Sequence, residues 1–271
     1  MQIKNIKHLL INMLNYDFIL KKAAESKIDN IIIEKEYWQL LFLQRLYFNK
    51  DSERIFFKGG TAIRFLLNSF RFSEDLDFTA TLSKKSTEEI LLDVFHFFEK
   101  NSIGKLEFKK EKVFEKFAEE SLRYRFLFFP RGLKQKASIR IDVSFREKPI
   151  MKETTVLVPF DYPISPYPLT VHLAMEEIFA EKIRAMFVRR KPRDLFDVWF
   201  LLTKKVPINE EIIKKKFSIY PKLKFNIKKL KETIHSFDDK ELKKDLNQFL
   251  PEHYRIFYQV LKKETLKLLP S

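Results

Sequence analysis

Two adjacent glycines followed by a closely spaced pair of aspartates constrain the fold of this chain more than any other feature. The 271-residue sequence contains four glycines, and Gly59 and Gly60 stand side by side in the stretch FKGGTAIRFLLNSFRFSEDLDF. The apolar run RIFF ends one residue before them, and a helical pattern runs from Thr61 to about Asn68. A glycine turn between a strand and a helix leaves backbone N–H groups open to an anion at the helix N-terminus. This order therefore predicts a phosphate-binding turn.

Asp75 and Asp77 predict a metal site beside that turn. They are two residues apart, which on a strand places both side chains on one face while Leu76 points into the core. Carboxylate oxygens are the protein ligands that Mg²⁺ prefers, and nucleotidyl transfer needs such a cation shared with the phosphates. We therefore expect Mg²⁺ or Mn²⁺ as the cofactor and a nucleoside triphosphate (NTP) as the substrate.

A third carboxylate, Asp142, lies in the stretch ASIRIDVSF. Its alternation gives a strand with one apolar face, formed by Ile139, Ile141, Val143 and Phe145. Arg140, Asp142 and Ser144 then occupy the other face. If this strand lies beside the DLD strand, three aspartates converge, as two-metal nucleotidyl transfer requires. The sequence does not determine that pairing.

The first part of the chain is predicted to be α+β. Helical periodicity covers most of residues 1–50 and returns in 86–100. Besides RIFF and DLDF, strands are expected around 105–114, 121–129 and 137–146. Most of the 29 phenylalanines fall in such apolar, periodic segments, which predicts that they fill the core.

The second part is predicted to be helical. Prolines crowd the segment PFDYPISPYPLT, which excludes a helix or a central strand there and indicates an extended connector. We therefore predict a core domain of residues 1–158 and a helical C-terminal domain of residues 159–271. Its helices are expected at 172–189, at 193–203 and in lysine-rich segments up to about Leu269. Tyr162 and Tyr167 in the connector are candidates to stack on a base.

The net charge and the amino-acid composition restrict the classes of partner and the location that we expect. The formal net charge is +15, and residues 204–271 carry 17 Lys or Arg against 9 Asp or Glu. This balance favours a polyanionic partner, although a solvated lysine-rich surface explains it equally well. The chain has no cysteine, which excludes disulfides and favours a reducing cytoplasmic location. No apolar run is long enough for a membrane span, and the five histidines lack metal-ligand spacing. We expect a soluble protein with no membrane partner.

Two sequence blocks resemble a known family. Gly60-Thr61, thirteen residues and Asp75-Leu76-Asp77 resemble the signature of the polymerase-beta-type nucleotidyltransferase superfamily, with threonine where serine is usual. The longer motif, formed by the stretches KGGTAIR and RFSEDLDF, resembles the AbiEii/AbiGii-type toxins of type IV toxin–antitoxin and phage-defence operons. Residues 180–202, AEKIRAMFVRRKPRDLFDVWFLL, are similar to that family's lysine, arginine-rich turn and RDLYDL-like helix. The resemblance covers residues 54–202 and leaves the lysine-rich tail unassigned.

The resemblance implies a polymerase-beta-like core, with a mixed sheet flanked by helices, before the helical C-terminal domain. It places the metal-binding pair on Asp75 and Asp77, to which we add Asp142. It places the remaining site residues on Gly59, Gly60, Thr61, Lys182, Asp194 and Asp197. Asp194 follows Pro192-Arg193 and could equally stabilise a helix N-terminus. Lys58 and Arg71 flank the motif and could contact the triphosphate or pair with surface carboxylates.

The function implied is a Mg²⁺-dependent toxin that attaches NMP to RNA, expected at the 3′ end of a tRNA. Translation would stop until an antitoxin encoded nearby intervenes. Two alternatives stay open: an acceptor hydroxyl on a small molecule or a protein, and a basic RNA-binding protein without catalysis.

Overall fold

The computed structural model describes residues 15–101, 105–113, 118–130, 135–157 and 162–270. The helices expected in residues 1–14 and the domain boundary expected at 158–159 lie outside these ranges. The described helices are α1 (Tyr16–Ser26), α2 (Asn30–Leu46), α3 (Gly59–Leu67), α4 (Lys84–Asn101), α5 (Met175–Val188), α6 (Pro192–Thr203), α7 (Glu210–Phe217), α8 (Ile227–His235), α9 (Asp239–Leu246) and α10 (Tyr258–Leu268).

The described strands are β1 (Ile55–Lys58), β2 (Leu76–Ala80), β3 (Glu107–Lys110), β4 (Ser121–Phe128), β5 (Ala137–Ser144), β6 (Lys152–Val156) and β7 (Leu169–Leu173). They form a single seven-stranded sheet in the order β3-β4-β5-β2-β1-β7-β6. The β2–β5 and β1–β7 pairs are parallel, and the other neighbours are antiparallel. This mixed sheet flanked by helices confirms the predicted fold class.

The sheet core follows from the alternation in the sequence. Every second side chain is buried along β4 and along β5 as far as Val143, so one face of each strand packs inward. Helices α2 and α4 cover this face, where Trp38 meets Phe126 edge-on with ring centroids 5.2 Å apart. Phe95 stacks on Phe108 at 4.1 Å. Most phenylalanines therefore fill the interior, as the sequence predicts.

The sheet extends beyond the predicted strands. Residues 169–173 form β7, so the helix predicted from residue 172 begins at Met175. This strand pairs with β1 on one side and with β6 on the other. Leu169 and Thr170 therefore lie in a central strand, and the expectation that the whole proline-rich segment excludes one is wrong, because both residues follow its last proline. All five residues of β6 are exposed, so no buried alternation marks it in the sequence. Both strands are therefore recognised by their pairing and not by a local pattern.

The last third of the described chain is helical. Its helices begin at short polar caps: Asn209, Asn226 and Asp238 each accept a hydrogen bond from a backbone N–H group of the first turn. Helices α5, α9 and α10 pack against α6, and α7 packs against α5. Among the described residues, no helix has both the length and the apolar character that crossing a bilayer requires.

Candidate active site

The register of the central strands brings the predicted aspartates together. β2 lies between β1 and β5, so Asp77 is paired with Lys58 on one side and with Asp142 on the other. Asp75 precedes β2 by one residue. The pairing that the sequence left open is therefore present, and it aligns Asp77 and Asp142 on neighbouring parallel strands.

The glycine turn is shaped by its closeness to this pair. Gly59 has a φ of +83°, and a Cβ atom there would collide with the Asp77 carboxylate. A Cβ on Gly60 would lie 2.6 Å from Nη2 of Arg71 and 2.9 Å from Oγ of Ser73. Both glycines are thus required by close packing of charged side chains as well as by the turn.

A buried hydrogen bond of Thr61 links the glycine turn to the backbone of Asp75. It is 1% exposed, and its hydroxyl donates a hydrogen bond to the backbone carbonyl of Asp75. Helix α3 already begins at Gly59, and no side chain caps it. Thr61 therefore fixes the start of β2 relative to α3.

Two arginines form ion pairs with Asp75 and Asp142. Arg123 donates from Nε to Oδ2 of Asp142 at 2.9 Å. Arg140 pairs with Asp75 through Nη2, and its Nε lies 3.4 Å from Oδ2 of Asp142. Burial raises the pKa of Asp75 and of Asp142 above the ordinary aspartate value, and the nearby charge of Asp77 adds to it in both cases. The arginines therefore offset only part of the combined effect of burial and carboxylate repulsion.

Asp77 itself has no hydrogen bond or ion pair to its side chain among the described residues. In the same part of the chain, no three His, Cys, Asp or Glu side chains are already arranged around one point as a metal centre. The donor set nevertheless suits a hard divalent cation: it consists of carboxylate oxygens, one carboxylate is unpartnered, and its charge disfavours ionisation of the other two. Asp75, Asp77 and Asp142 fit Mg²⁺ or Mn²⁺ on this ground.

A second charged cluster joins α5 and α6 to the segment after α3. Arg71 forms two hydrogen bonds to Asp197, at 2.9 and 3.0 Å, and Nζ of Lys182 lies 2.7 Å from the same carboxylate. Lys182 also lies 3.4 Å from Asp194, which accepts two further bonds from Arg189 at 2.7 Å. We call these five residues the buried charge cluster.

The buried charge cluster has three cationic side chains for two carboxylates, so the charge of both aspartates is compensated. Asp194 and Asp197 are 0% and 1% exposed, and Arg71 is 2% exposed. Burial alone would raise the pKa of Asp194, but the charges of Lys182 and Arg189 outweigh it and hold that pKa below its usual value. Lys182 and Arg189 line a cleft. Asp194 and Asp197 lie behind these two side chains and form ion pairs with them.

That cleft is the candidate active site. It has a volume of about 470 Å³ and is lined by Asp77, Asp142 and several predicted or neighbouring residues. The described lining includes three acidic side chains and eight cationic ones, namely Lys58, Arg123, Arg140, Arg146, Lys182, Arg184, Arg189 and Lys191. Gly59 also lines it, whereas Gly60, Thr61, Arg71, Asp194 and Asp197 are buried and do not. Asp75 is 31% exposed and is joined to the lining through its ion pair with Arg140. An anionic ligand is therefore favoured.

Lys58 enters the cleft from a second buried ion network. Its Nζ lies 3.2 Å from Glu181, which also accepts from Lys216 at 3.1 Å. Burial would raise the pKa of Glu181, but Lys58, Lys216 and Arg184 together lower it well below its ordinary value. Lys58 thus has a carboxylate partner, although not one on the surface as the alternative reading of the sequence proposed.

Several cleft residues were not predicted from the sequence, and one residue of the connector was misjudged. Arg140 shares a strand face with Asp142, so its spacing could have identified it, whereas Glu181 and Tyr220 gave no local signal. The expectation that Tyr162 stacks on a base is wrong. Tyr162 is 3% exposed, donates to Glu36 at 2.9 Å and packs against Phe18, because the connector folds back over α1 and α2.

Comparisons with known proteins show similarity in sequence and in fold. The family model described as nucleotidyl transferase AbiEii toxin, type IV TA system, matches residues 41–258. The structure of JHP933 from Helicobacter pylori has a TM-score of 0.51 and 21% identity, and covers 89% of this chain and 94% of its own. A candidate nucleotidyltransferase from the same organism has a TM-score of 0.52 and 21% identity, with coverages of 90% and 100%. These two structures show a shared fold. No curated protein matches the chain.

Proposed function

Because the chain belongs to the AbiEii family of nucleotidyl transferase toxins from type IV toxin–antitoxin systems, we propose that it transfers NMP from an NTP to RNA. The acceptor we propose is the 3′ end of a tRNA, whose modification blocks translation. The observation that carries this proposal is the cationic cleft, in which the unpaired Asp77 carboxylate stands opposite Asp142.

In this proposal Asp75, Asp77 and Asp142 hold Mg²⁺ or Mn²⁺, which would neutralise charge on the phosphates during transfer. The turn at Gly59 presents backbone to the triphosphate, and Lys58 and Lys182 supply positive charge from two sides of the cleft. Asp194 and Asp197, with Arg71, hold Lys182 and Arg189 in place and do not touch the nucleotide.

The reaction is an in-line substitution at the α-phosphorus. The acceptor hydroxyl oxygen forms a bond to that phosphorus, the bond to the oxygen of the β-phosphate breaks, and pyrophosphate leaves. Asp142 accepts the hydroxyl proton.

RNA is the acceptor that the charges favour. The cleft carries eight cationic side chains against three acidic ones among the described residues, more than a bound triphosphate needs. The whole chain has a net charge of +15. An acceptor with a phosphodiester backbone uses this excess, whereas a small neutral acceptor would not. The cytoplasm, where tRNA and NTP meet, is the proposed place of action.

Transfer of α-labelled NTPs to total tRNA tests the proposal. We expect wild type and the exposed control Asp51→Asn to label tRNA, and Asp77→Asn to give no label above background. Added salt should reduce labelling steeply, because phosphate contacts are lost as salt rises to about 0.2 M. Equal labelling by Asp77→Asn, or no labelling of RNA with any NTP, would refute it. Labelling of a protein or small molecule that is insensitive to salt would favour the other acceptors.

The family also implies an antitoxin partner, and we propose that it is encoded beside this chain and that the pair acts in phage defence. Induced expression of the chain should arrest growth, and co-expression of the neighbouring gene should restore it. Arrest by wild type but not by Asp77→Asn would link the growth effect to the transfer reaction. Unrelieved arrest in the presence of the neighbouring gene would count against this partner.

A further inference from the structure

Arg140 occupies carboxylate oxygens that a divalent cation would need. It lies on β5 two residues before Asp142, so both side chains project from the same strand face. Its guanidinium pairs with Asp75 through Nη2, and its Nε lies 3.4 Å from Oδ2 of Asp142. One positively charged group thus bridges two of the three aspartates assigned to the metal.

The contacts of Arg140 are incomplete. Oδ2 of Asp142 already accepts a hydrogen bond from Arg123 at 2.9 Å, while Nε of Arg140 is buried and has no hydrogen-bond partner. Arg71, by contrast, uses its Nε and Nη2 for a two-bond pair with Asp197. The Arg140 side chain is 37% exposed and lines the cleft. It is therefore free to exchange one anionic partner for another.

We propose that Arg140 and a divalent cation compete for Asp75 and Asp142, and that cation and NTP binding together move the Arg140 guanidinium onto a phosphate group. This inference rests on the proposed function, because it requires the metal and the triphosphate to share the cleft. A guanidinium and a divalent cation cannot use the same oxygens and they repel each other. A phosphate offers the planar guanidinium a two-bond partner in exchange.

The competition predicts coupling between the two ligands. Without NTP, release of Arg140 leaves a positive charge without its carboxylates, so metal binding is weakened. With NTP present, the released guanidinium finds a phosphate, so each ligand strengthens binding of the other. Arg140 in this scheme contacts the substrate only in the loaded enzyme.

Direct measurement of Mn²⁺ binding tests the inference without relying on turnover. Free Mn²⁺ is followed by electron paramagnetic resonance in titrations of wild type, Arg140→Gln and the control Arg45→Gln. Arg45 pairs with Asp93 at 2.8 Å outside the cleft, so this control removes the same charge. We expect Arg140→Gln to bind Mn²⁺ about tenfold more tightly than wild type in the absence of NTP, a difference of about 1.4 kcal/mol. The control should match wild type.

Two further variants sharpen the outcome. Arg140→Lys keeps the charge and should bind Mn²⁺ as wild type does, and Arg140→Met replaces the Gln variant if that variant does not fold. NTP should strengthen Mn²⁺ binding less in the neutral variants than in wild type. Unchanged or weaker Mn²⁺ binding by the neutral variants would overturn the inference alone. If wild type binds Mn²⁺ no better than Asp77→Asn, the metal site of the proposed function fails, and the inference fails with it.

Discussion

Two aspartate pairs in this protein look alike in the sequence and differ in their electrostatics. Asp75 and Asp77 lie at the start of β2, where Asp77 has no partner among the described residues and burial with the charge of Asp77 raises the pKa of Asp75. Asp194 and Asp197 lie in α6, fully buried, each held by two cationic side chains. Despite its burial, the cationic neighbours hold the pKa of Asp194 below its ordinary value.

The two pairs therefore have different roles, one in binding a cation and the other in positioning neighbouring side chains. The pair at β2 is short of positive charge, so it can accept a cation from solution. The pair in α6 is already neutralised within the protein, so it can only position its partners. Lys182 and Arg189 are those partners, and they reach the cleft. The difference lies in the neighbours that the fold supplies and not in the residue type.

The largest expected effect comes from removing the unpartnered charge. Asp77→Asn should lower the rate of NMP transfer roughly 10³-fold, the scale of losing one essential electrostatic group at a reaction centre. Thermal stability should be unchanged or higher, since no protein partner loses a contact. Rates with labelled NTP and unfolding curves of the purified variant measure both. A large loss of stability would show that Asp77 belongs with the structural carboxylates.

The second largest effect is a loss of stability, which we expect when a carboxylate of the buried charge cluster is removed. Asp197→Ala should destabilise the protein by about 3 kcal/mol, because it leaves Arg71 and Lys182 buried without their shared carboxylate. Denaturant unfolding of this variant beside Asp77→Ala gives a matched comparison of two aspartate truncations. Similar stability for the two variants would remove the distinction between the pairs.

Each glycine of the turn lies against a different aspartate pair, so a substitution at each glycine tests one of the two pairs. Gly59→Ala places a methyl group on the Asp77 carboxylate at a φ of +83°, whereas Gly60→Ala places it 2.6 Å from Nη2 of Arg71. Each should cost about 1–3 kcal/mol of stability. We expect Gly59→Ala to weaken Mn²⁺ binding more than Gly60→Ala does. The reverse order would contradict the assignment of the two glycines.

The smallest effect is a difference in pH dependence, measured by denaturant unfolding in the presence of a chelator. The pKa of Asp142 is raised in the folded protein, so its ionisation destabilises the fold as pH rises from the ordinary value of 3.8 through the folded pKa. Wild type should therefore lose stability relative to Asp142→Asn over that range. The pKa of Asp194 is lowered, so its stabilising contribution is complete above 3.8. The difference between wild type and Asp194→Asn should be flat from pH 5 to 7, and a slope there would contradict this.

Much of the fold and part of the site were predictable from local patterns. The alternation in ASIRIDVSF identified β5 and the face that carries Asp142, because a strand repeats every two residues. The glycine turn with the DLD pair identified β1, α3 and β2 in order. β6 gave no signal because its residues are exposed throughout, and β7 was divided between the predicted connector and the start of a predicted helix. Tyr162 was misjudged because a connector's burial depends on what it folds against.

The sequence by itself determined which residue types are available: a glycine turn, closely spaced aspartates, a lysine and arginine excess, and the family to which they point. Only the tertiary structure decided which charges meet. Asp77 stands opposite Asp142 because β2 and β5 pair in parallel, and Arg71 meets Asp197 across 126 positions of sequence. The energy of a charge depends on its burial and its neighbours within a few ångströms, and long-range contacts set both. For that reason two similar pairs of aspartates have different electrostatic environments in one protein.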